Sequence, residues 1–187
     1  NDRDLIPHWI GRCHLSSCKP HIFSCEKSKN RYKFEGVLAA NCLMPAAEFT
    51  LEYIVTGNEL TVSVSYKLAD YVENFPRFGF EFGVDKGHCN FSYVGFGPME
   101  SYVDKHVACE YGYYVSSAEE NYDRKYIRPQ EAGSHYACKY MAVKDLFKVT
   151  AEKPFSCSVN PFTTEQLRET LHSFELEEND FVNVCID

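Results

Sequence analysis

A chain of 187 residues is long enough to bury its own core without disulfides, and its net charge of −8 opposes binding to phosphate backbones. We therefore expect one domain over residues 1–187 and no nucleic-acid partner. No apolar run reaches the ~18 residues that span a bilayer, and no basic amphipathic stretch indicates a membrane surface.

The nine cysteines indicate a reducing compartment. A secreted disulfide scaffold is usually shorter and has an even number of cysteines. Most of these cysteines, such as Cys157 and Cys185, have apolar neighbours, where free thiols behave as small buried hydrophobes. We expect free thiols and a cytoplasmic location.

Most of the predicted elements are strands. Residues 5–12, around Trp9, form a short helix or a loop. Residues 49–55 are rich in β-branched and aromatic side chains, 56–59 form a turn, and 60–66 alternate between apolar and polar residues, which predicts a hairpin with one solvated face. Similar patterns predict strands at 31–42, 77–84, 89–96, 135–143, 155–159 and 181–186.

One short helix is predicted near residues 163–171. Thr163 and Gln166 have the spacing of a capping box, and Leu167 and Leu171 lie one turn apart on an apolar stripe. The acidic run that follows, residues 175–180, is expected to be a solvated connection. Successive strands separated by Gly, Asn, Asp and Pro predict an all-β sandwich or barrel.

A zinc site is one alternative for the N-terminal region. Closely spaced cysteine and histidine ligands can hold zinc tetrahedrally, and the candidates are Cys13, Cys18, His21 and Cys25. Their spacing lacks a paired C-x-x-C arrangement, and residues 20–25 have the pattern of a strand. Ordinary core cysteines are the favoured interpretation.

No catalytic motif emerges from the residues alone. There is no G-x-S-x-G elbow, phosphate loop or dinucleotide fingerprint. Acidic pairs such as Glu100 with Asp104, or Glu119 with Glu120, arise by chance among 27 acidic residues. Residue patterns alone therefore predict no more than an acidic, largely antiparallel β domain.

Three stretches, in order along residues 95–187, resemble a known family. Residues 95–104, GFGPMESYVD, resemble the G-x-G-P-x-E-x-Y-x-D signature of the β-galactosidase small-chain domain, which belongs to the large glycoside hydrolases of family two. Residues 126–133, YIRPQEAG, are similar to its Y-x-x-P-Q-E-N-G segment. The helix at 162–167 and the H-x-x-E-L at 172–176 also match, in the same order. The motif residues, expected to be structural, are Gly95, Gly97, Pro98, Glu100, Tyr102, Asp104, Tyr126, Pro129, Gln130, Glu131, Gly133 and His172.

Three positions depart from the family pattern. Family members usually carry Asn where Ala132 stands, and often Arg where His135 and Lys139 stand. If those arginines pair with buried carboxylates, Lys139 is a weaker partner and His135 a pH-dependent one.

The resemblance implies a galactose-mutarotase-like fold, a large antiparallel supersandwich. It places the two catalytic glutamates in a TIM barrel upstream, so this chain has no catalytic residue and is expected to be inactive alone. It implies a non-catalytic role: the sandwich packs on the catalytic barrel and lends loops to the active-site rim. The first such loop covers residues 4–7, and the rim candidates are Asn1, Asp2, Arg3 and Asp4.

The resemblance also sets expectations for partners and cofactors. The partners are the catalytic barrel and, through the parent enzyme, a β-galactoside substrate; a homo-oligomer is compatible with this assignment. No cofactor is expected in this chain, whereas the parent is expected to use Mg²⁺ and Na⁺ outside this domain. The next rim loop would lie beyond Asp187, so we interpret the chain as a domain excised at both ends.

Two other functions stay open at this point. A stand-alone carbohydrate-binding or aldose-epimerase-like domain would need a His and a Glu converging in an open cleft on the sandwich face. A structural zinc domain would need the four ligands named above. If the parent assignment holds, the face that met the barrel should be an exposed apolar or aromatic patch.

Overall fold

The computed structural model describes residues 2–40 and 43–187, with the backbone alone for Asp2 and Arg3. The chain divides into two compact units, Asn1–Arg77 and Phe78–Asp187. The prediction of a single sandwich domain over 1–187 stays a prediction. No helix in the described part is long and apolar enough to cross a membrane.

The first unit is a helical segment followed by one four-stranded antiparallel sheet. Residues 5–12, expected to be helix or loop, are helical, in α1 (Asp2–Ile6) and a π-helix (Pro7–Arg12). A 3₁₀ turn, Leu15–Ser17, leads into the sheet. The strands, in sheet order, are β1 (Lys19–Lys27), β2 (Arg31–Ala39), β3 (Ala47–Thr56) and β4 (Glu59–Leu68).

The predicted hairpin at 49–66 is confirmed, but the prediction of a single solvated face is wrong for β4, because Leu60 and Tyr66 on its apolar side are 56% and 46% exposed. β3 and β4 pair in antiparallel register up to Thr56 opposite Glu59, which leaves a two-residue turn. Gly57 in that turn has φ +61°, a left-handed conformation that glycine adopts without steric cost. β2 ends at Ala39 rather than at the predicted residue 42, and the last two predicted positions, Asn41 and Cys42, lie outside the described residues.

The second unit is a two-sheet antiparallel arrangement, which confirms the all-β fold. One sheet has the order β10-β9-β6-β7 and the other β5-β12-β11-β8. The strands are β5 (Phe80–Asp85), β6 (Asn90–Gly97), β7 (Glu110–Ser117), β8 (His135–Cys138), β9 (Tyr140–Val143), β10 (Phe147–Val149), β11 (Phe155–Asn160) and β12 (Phe181–Ile186). A one-turn helix, α2 (Ala118–Asn121), follows β7.

The core of the second unit comes from both sheets. Phe91, Tyr93 and Met141 of the first sheet cluster with Val159 and Val184 of the second, and all five are buried. Along β6 buried and partly exposed residues alternate, as a strand with one face toward a core requires. This packing determines which motif side chains face inward.

The strand predicted over 135–143 is wrong as one element. The structure has two strands, with β8 in one sheet and β9 in the other. Ala137 has φ +55° and Lys139 lies between the strands, so the chain changes direction and crosses from sheet to sheet. Apolar residues occur on both sides of the break, so their alternation did not reveal it.

The predicted helix near 163–171 is observed as α3 (Thr164–Glu169), with the predicted capping box. Thr163 Oγ1 accepts from the Gln166 backbone N–H at 3.1 Å, and Gln166 Oε1 accepts from the Thr163 N–H at 2.8 Å. Leu167 is buried, but Leu171 lies past the end of the helix and is 55% exposed. The predicted stripe is therefore wrong at Leu171, whose N–H turns toward Glu175 instead.

Replacing the cap residue gives a modest expected effect. Thr163→Ala removes the acceptor for the Gln166 N–H, so the free energy of unfolding should fall by about 1 kcal/mol in chemical denaturation. Thr170→Ala at the other end of α3 is the matched control, because Thr170 caps through its backbone N–H. A loss of equal size in the control would contradict the cap's role.

Candidate functional site

The carboxylate of Glu100 is the centre of the first motif's hydrogen-bond network. Its side chain is only 12% exposed, and it forms an ion pair with Lys105 at 2.5 Å. It also accepts from Tyr102 Oη at 3.1 Å, from Tyr126 Oη and from the Gly133 backbone N–H at 3.1 Å. Four donors therefore surround two carboxylate oxygens.

The network favours the ionised form of Glu100. Burial raises the pKa of the carboxyl, but hydrogen bonds from Lys105, Tyr126 and Gly133 outweigh it, so the net pKa is lowered. Burial and the neighbouring Glu100 charge raise the pKa of Tyr102, which keeps its hydroxyl a donor. The hydrogen bonds to Glu100 and Tyr126 raise the pKa of Lys105. Glu100 is therefore held as an ionised carboxylate that binds both motifs, and we call this its anchor role.

The glycines of the first motif allow close approach. A Cβ on Gly95 would lie 2.6 Å from the Cys138 sulfur, and one on Gly97 would collide with the Tyr93 hydroxyl. The Gly97–Pro98 peptide is cis. Asp104 is exposed in the turn after Tyr102, outside the Glu100 network.

The second motif supplies two of the four donors to Glu100. Tyr126 and Gly133 both bind Glu100, so the two motifs join around one carboxylate. Gly133 has φ +71°, and a Cβ there would collide with the Asn121 backbone oxygen. Pro129 is buried, whereas Gln130 and Glu131 are exposed; the backbone oxygen of Glu131 accepts from Tyr102 Oη at 3.4 Å.

The last motif histidine lies near the C-terminus. His172 is exposed, and its backbone N–H binds Glu175 Oε2 at 3.0 Å at the start of a 3₁₀ turn, Ser173–Glu175. Its ring stacks on Phe174 at 5.3 Å. These contacts cap a turn. Most of the acidic run over 175–180 is exposed, as predicted.

His135 is a buried imidazole beside the core. It is 1% exposed, and its ring stacks on Tyr93 with centroids 3.8 Å apart. Burial lowers its pKa from 6.5 to about 4, against the opposing effects of the Phe96 and Met99 carbonyls and the Glu100 charge. The ring is therefore neutral at neutral pH.

Asn121 determines the tautomer of His135. The Asn121 amide nitrogen donates to the backbone oxygens of Gly133 at 2.7 Å and Val159 at 3.1 Å. Its Oδ1 must then accept from His135 Nε2, 2.8 Å away, so Nε2 carries the proton. Nδ1 has no hydrogen-bond partner among the described residues.

The structure shows the surroundings of Ala132, His135 and Lys139, the three positions that depart from the family pattern. The partner of His135 is an amide rather than a carboxylate. Ala132 is fully buried, and Lys139 is exposed. No sequence signal pointed to Asn121, since a lone Asn at the end of the one-turn helix α2 has no distinguishing pattern.

The zinc alternative lacks a supporting geometry. Cys13 is buried with Ala46 and Val72, with Cys18 packed against this cluster. His21 and Cys25 lie on β1 and are exposed. Among the side chains that the structure describes, no three His, Cys, Asp or Glu are grouped so as to hold a metal ion.

The second unit has a surface cleft of about 490 Å³. It is lined by residues of β6, β7, β9 and β10, including Tyr113, Tyr140 and Phe147. No His or Glu lines it, so it does not provide the pair that an aldose-epimerase-like site would need. Glu119, one of the other acidic candidates, pairs with Arg124 at 2.9 Å.

The rim candidates lie at the start of the chain. Asn1 lies outside the described residues, and Asp2 and Arg3 are described by backbone only. The backbone of Asp2–Ile6 is helical, whereas the prediction placed a loop at 4–7. Asp4 is exposed. Their role at a rim stays a prediction.

The comparisons with known proteins agree with the motifs. The family model described as beta galactosidase small chain matches residues 1–187. The chain is 39% identical to a β-galactosidase of Actinobacillus pleuropneumoniae over 134 residues, which is 72% of this chain and 13% of that protein. It is 37% identical to one of Streptococcus thermophilus, over 64% of this chain and 12% of that protein.

A β-galactosidase of Staphylococcus xylosus is 34% identical over 68% of this chain and 13% of its own length. The chain thus spans only about an eighth of the length of these relatives. With the family model matching from end to end, and both motifs joined around Glu100, this chain belongs to the β-galactosidase small chain family.

Proposed function

We propose that this chain is the non-catalytic sandwich part of a β-galactosidase, which hydrolyses terminal β-D-galactosyl residues. The chain packs on the catalytic barrel of the same enzyme and lends loops to the rim of its active site. The relatives named β-galactosidase support the parent activity.

The main support for this proposal is Glu100, whose carboxylate oxygens already accept hydrogen bonds from other residues of the chain. Retaining glycoside hydrolysis needs two carboxyl groups about 5–5.5 Å apart, one to attack the sugar and one to donate a proton. Glu100 is the largely buried acidic residue of the first motif, and its oxygens accept from Lys105, Tyr126, Tyr102 and Gly133. A carboxylate held this way supports a structural role rather than attack on a substrate.

The cysteines support a cytoplasmic parent. Of the nine cysteines, the eight that the structure describes are all free. Cys138 and Cys157 lie with their sulfurs 3.6 Å apart in the core, without a bond between them. Free thiols are usual where glutathione and thioredoxin keep cysteines reduced.

The proposal is tested by assaying the 187-residue chain and the longer protein that contains it on a chromogenic β-galactoside. We expect the longer protein to exceed the uncatalysed rate by at least about 10⁶-fold, as enzymes typically do, and the 187-residue chain to stay at background. The Glu100→Gln variant of the chain is the control. Turnover by the chain that disappears in this control would overturn the proposal, because Glu100 would then be catalytic.

A further inference from the structure

One face of the second unit's first sheet is apolar and uncovered. Strand pairing places Val94 opposite Tyr113 and Tyr140, and Ser92 opposite Val115 and Ala142. We call this surface the outer tyrosine face, defined by Val94, Tyr111, Tyr113, Val115, Tyr140 and Ala142. The opposite face of the same strands carries the buried core residues Phe91, Tyr93 and Met141.

The side chains of this face are strongly exposed on β7, an edge strand of its sheet. Tyr113 is 64% exposed, Val115 68% and Tyr111 45%. Three large apolar side chains in a row on one strand form a continuous patch, unlike single exposed hydrophobic residues, which are common on any protein.

The other sheet of this unit shows the contrast. Its outer face is polar, with Ser158, Asn160 and Asn183 each at most 5% exposed. The start of α3 lies against it, because the Thr164 N–H binds Glu81 Oε1 at 2.9 Å and Asn183 donates to the same oxygen. The second unit therefore covers its polar outer face with its own chain and leaves the apolar one open.

The composition of the outer tyrosine face is that of an interface. Of the chain's 27 acidic residues, none lies at an outward strand position of β6, β7, β9 or β10, where Lys148 is the one charged residue. Lys144 and Asp145, in the turn between β9 and β10, line the cleft at the edge of this face. Depletion of acidic residues with enrichment of tyrosine distinguishes interface centres from the remaining surface.

We propose that the outer tyrosine face is the surface on which the remaining β-galactosidase polypeptide docks, through an apolar counterface with an acidic group near Lys148. This rests on the proposed function. The matched part is 13% of the Actinobacillus pleuropneumoniae enzyme, so most of such a protein lies outside it and can supply that counterface. Docking there would bury Tyr113 and Val115.

Hydroxyl-radical footprinting of the longer protein tests this inference. Protection is the labelling rate of a residue in the denatured protein divided by its labelling rate in the native protein. We expect protection of at least about tenfold at Tyr113 and Val115, since interface centres exclude solvent, and less than about twofold at Phe174 and Ile127. The two controls are 85% and 94% exposed and lie outside the face.

A charge on the face provides a second measurement. Tyr113→Glu in the longer protein should restore labelling of Val115, whereas Ile127→Glu should leave it unchanged. Protection of Tyr113 and Val115 no greater than that of Phe174 would overturn the inference. So would protection that falls on dilution, which indicates a second copy, or protection that requires added lactose, which indicates a sugar site. The β-galactoside assay on the same sample separates the outcomes: activity with an unprotected face overturns this inference alone.

Discussion

Glu100→Gln should lower the free energy of unfolding by about 3 kcal/mol, because it removes the charge that Lys105 and three neutral donors share in a mostly buried site. A Gln side chain also turns an amide NH₂ toward groups that are themselves donors. Urea denaturation of wild type and variant at neutral pH measures the difference. In the longer protein, the chemical step should change far less than the stability.

Glu119→Gln is the matched control for this substitution. Glu119 pairs with Arg124 at 2.9 Å, but both side chains are at least half exposed, so the loss should stay below about 1 kcal/mol. A large fall in turnover with an unchanged unfolding midpoint for Glu100→Gln would contradict the anchor role.

The Glu100 effect should also depend on pH. Its pKa is lowered by folding from 4.5, so the unfolded chain binds the proton more readily. The stabilisation from ionisation is thus fully present above pH 4.5 and is lost as the pH falls below it. The difference between wild type and Glu100→Gln should shrink in that acidic range.

Acidification should destabilise the fold by about 3 kcal/mol between neutral pH and about pH 4 through His135 alone. Folding lowers the pKa of this imidazole from 6.5 to about 4. The unfolded state therefore binds a proton throughout that window while the folded state does not. Stability rises with pH across the window, and the effect is complete above 6.5.

The measurement compares the pH dependence of unfolding in wild type and His135→Gln. The variant should lose about 3 kcal/mol of the change between about pH 4 and pH 7, whatever its stability at neutral pH. His172→Gln is the control, because it makes the same substitution at an exposed histidine. Identical slopes in wild type and His135→Gln would show that His135 is not buried as a neutral ring.

Sequence patterns predicted those elements that depend only on residues close together in the chain. The hairpin at 49–66 depends on strand alternation on both sides of a glycine turn, and the cap of α3 depends on Thr163 and Gln166 three positions apart. The first-motif and second-motif stretches identified the family for the same reason, since each is a short segment with closely spaced residues.

The tertiary structure alone decided what joins distant segments. Residues 135–143 are one predicted strand in sequence, yet they split between two sheets at Lys139, two positions after Ala137 with φ +55°. The convergence of Lys105, Tyr126 and Gly133 on Glu100 joins groups up to 33 positions apart. The choice of Asn121 as the partner of His135 joins side chains 14 positions apart. Alternation shows that a strand has an apolar side but not which layer will cover it. The exposure of Tyr111 and Tyr113 on β7 therefore follows from the positions of both sheets and not from the sequence pattern.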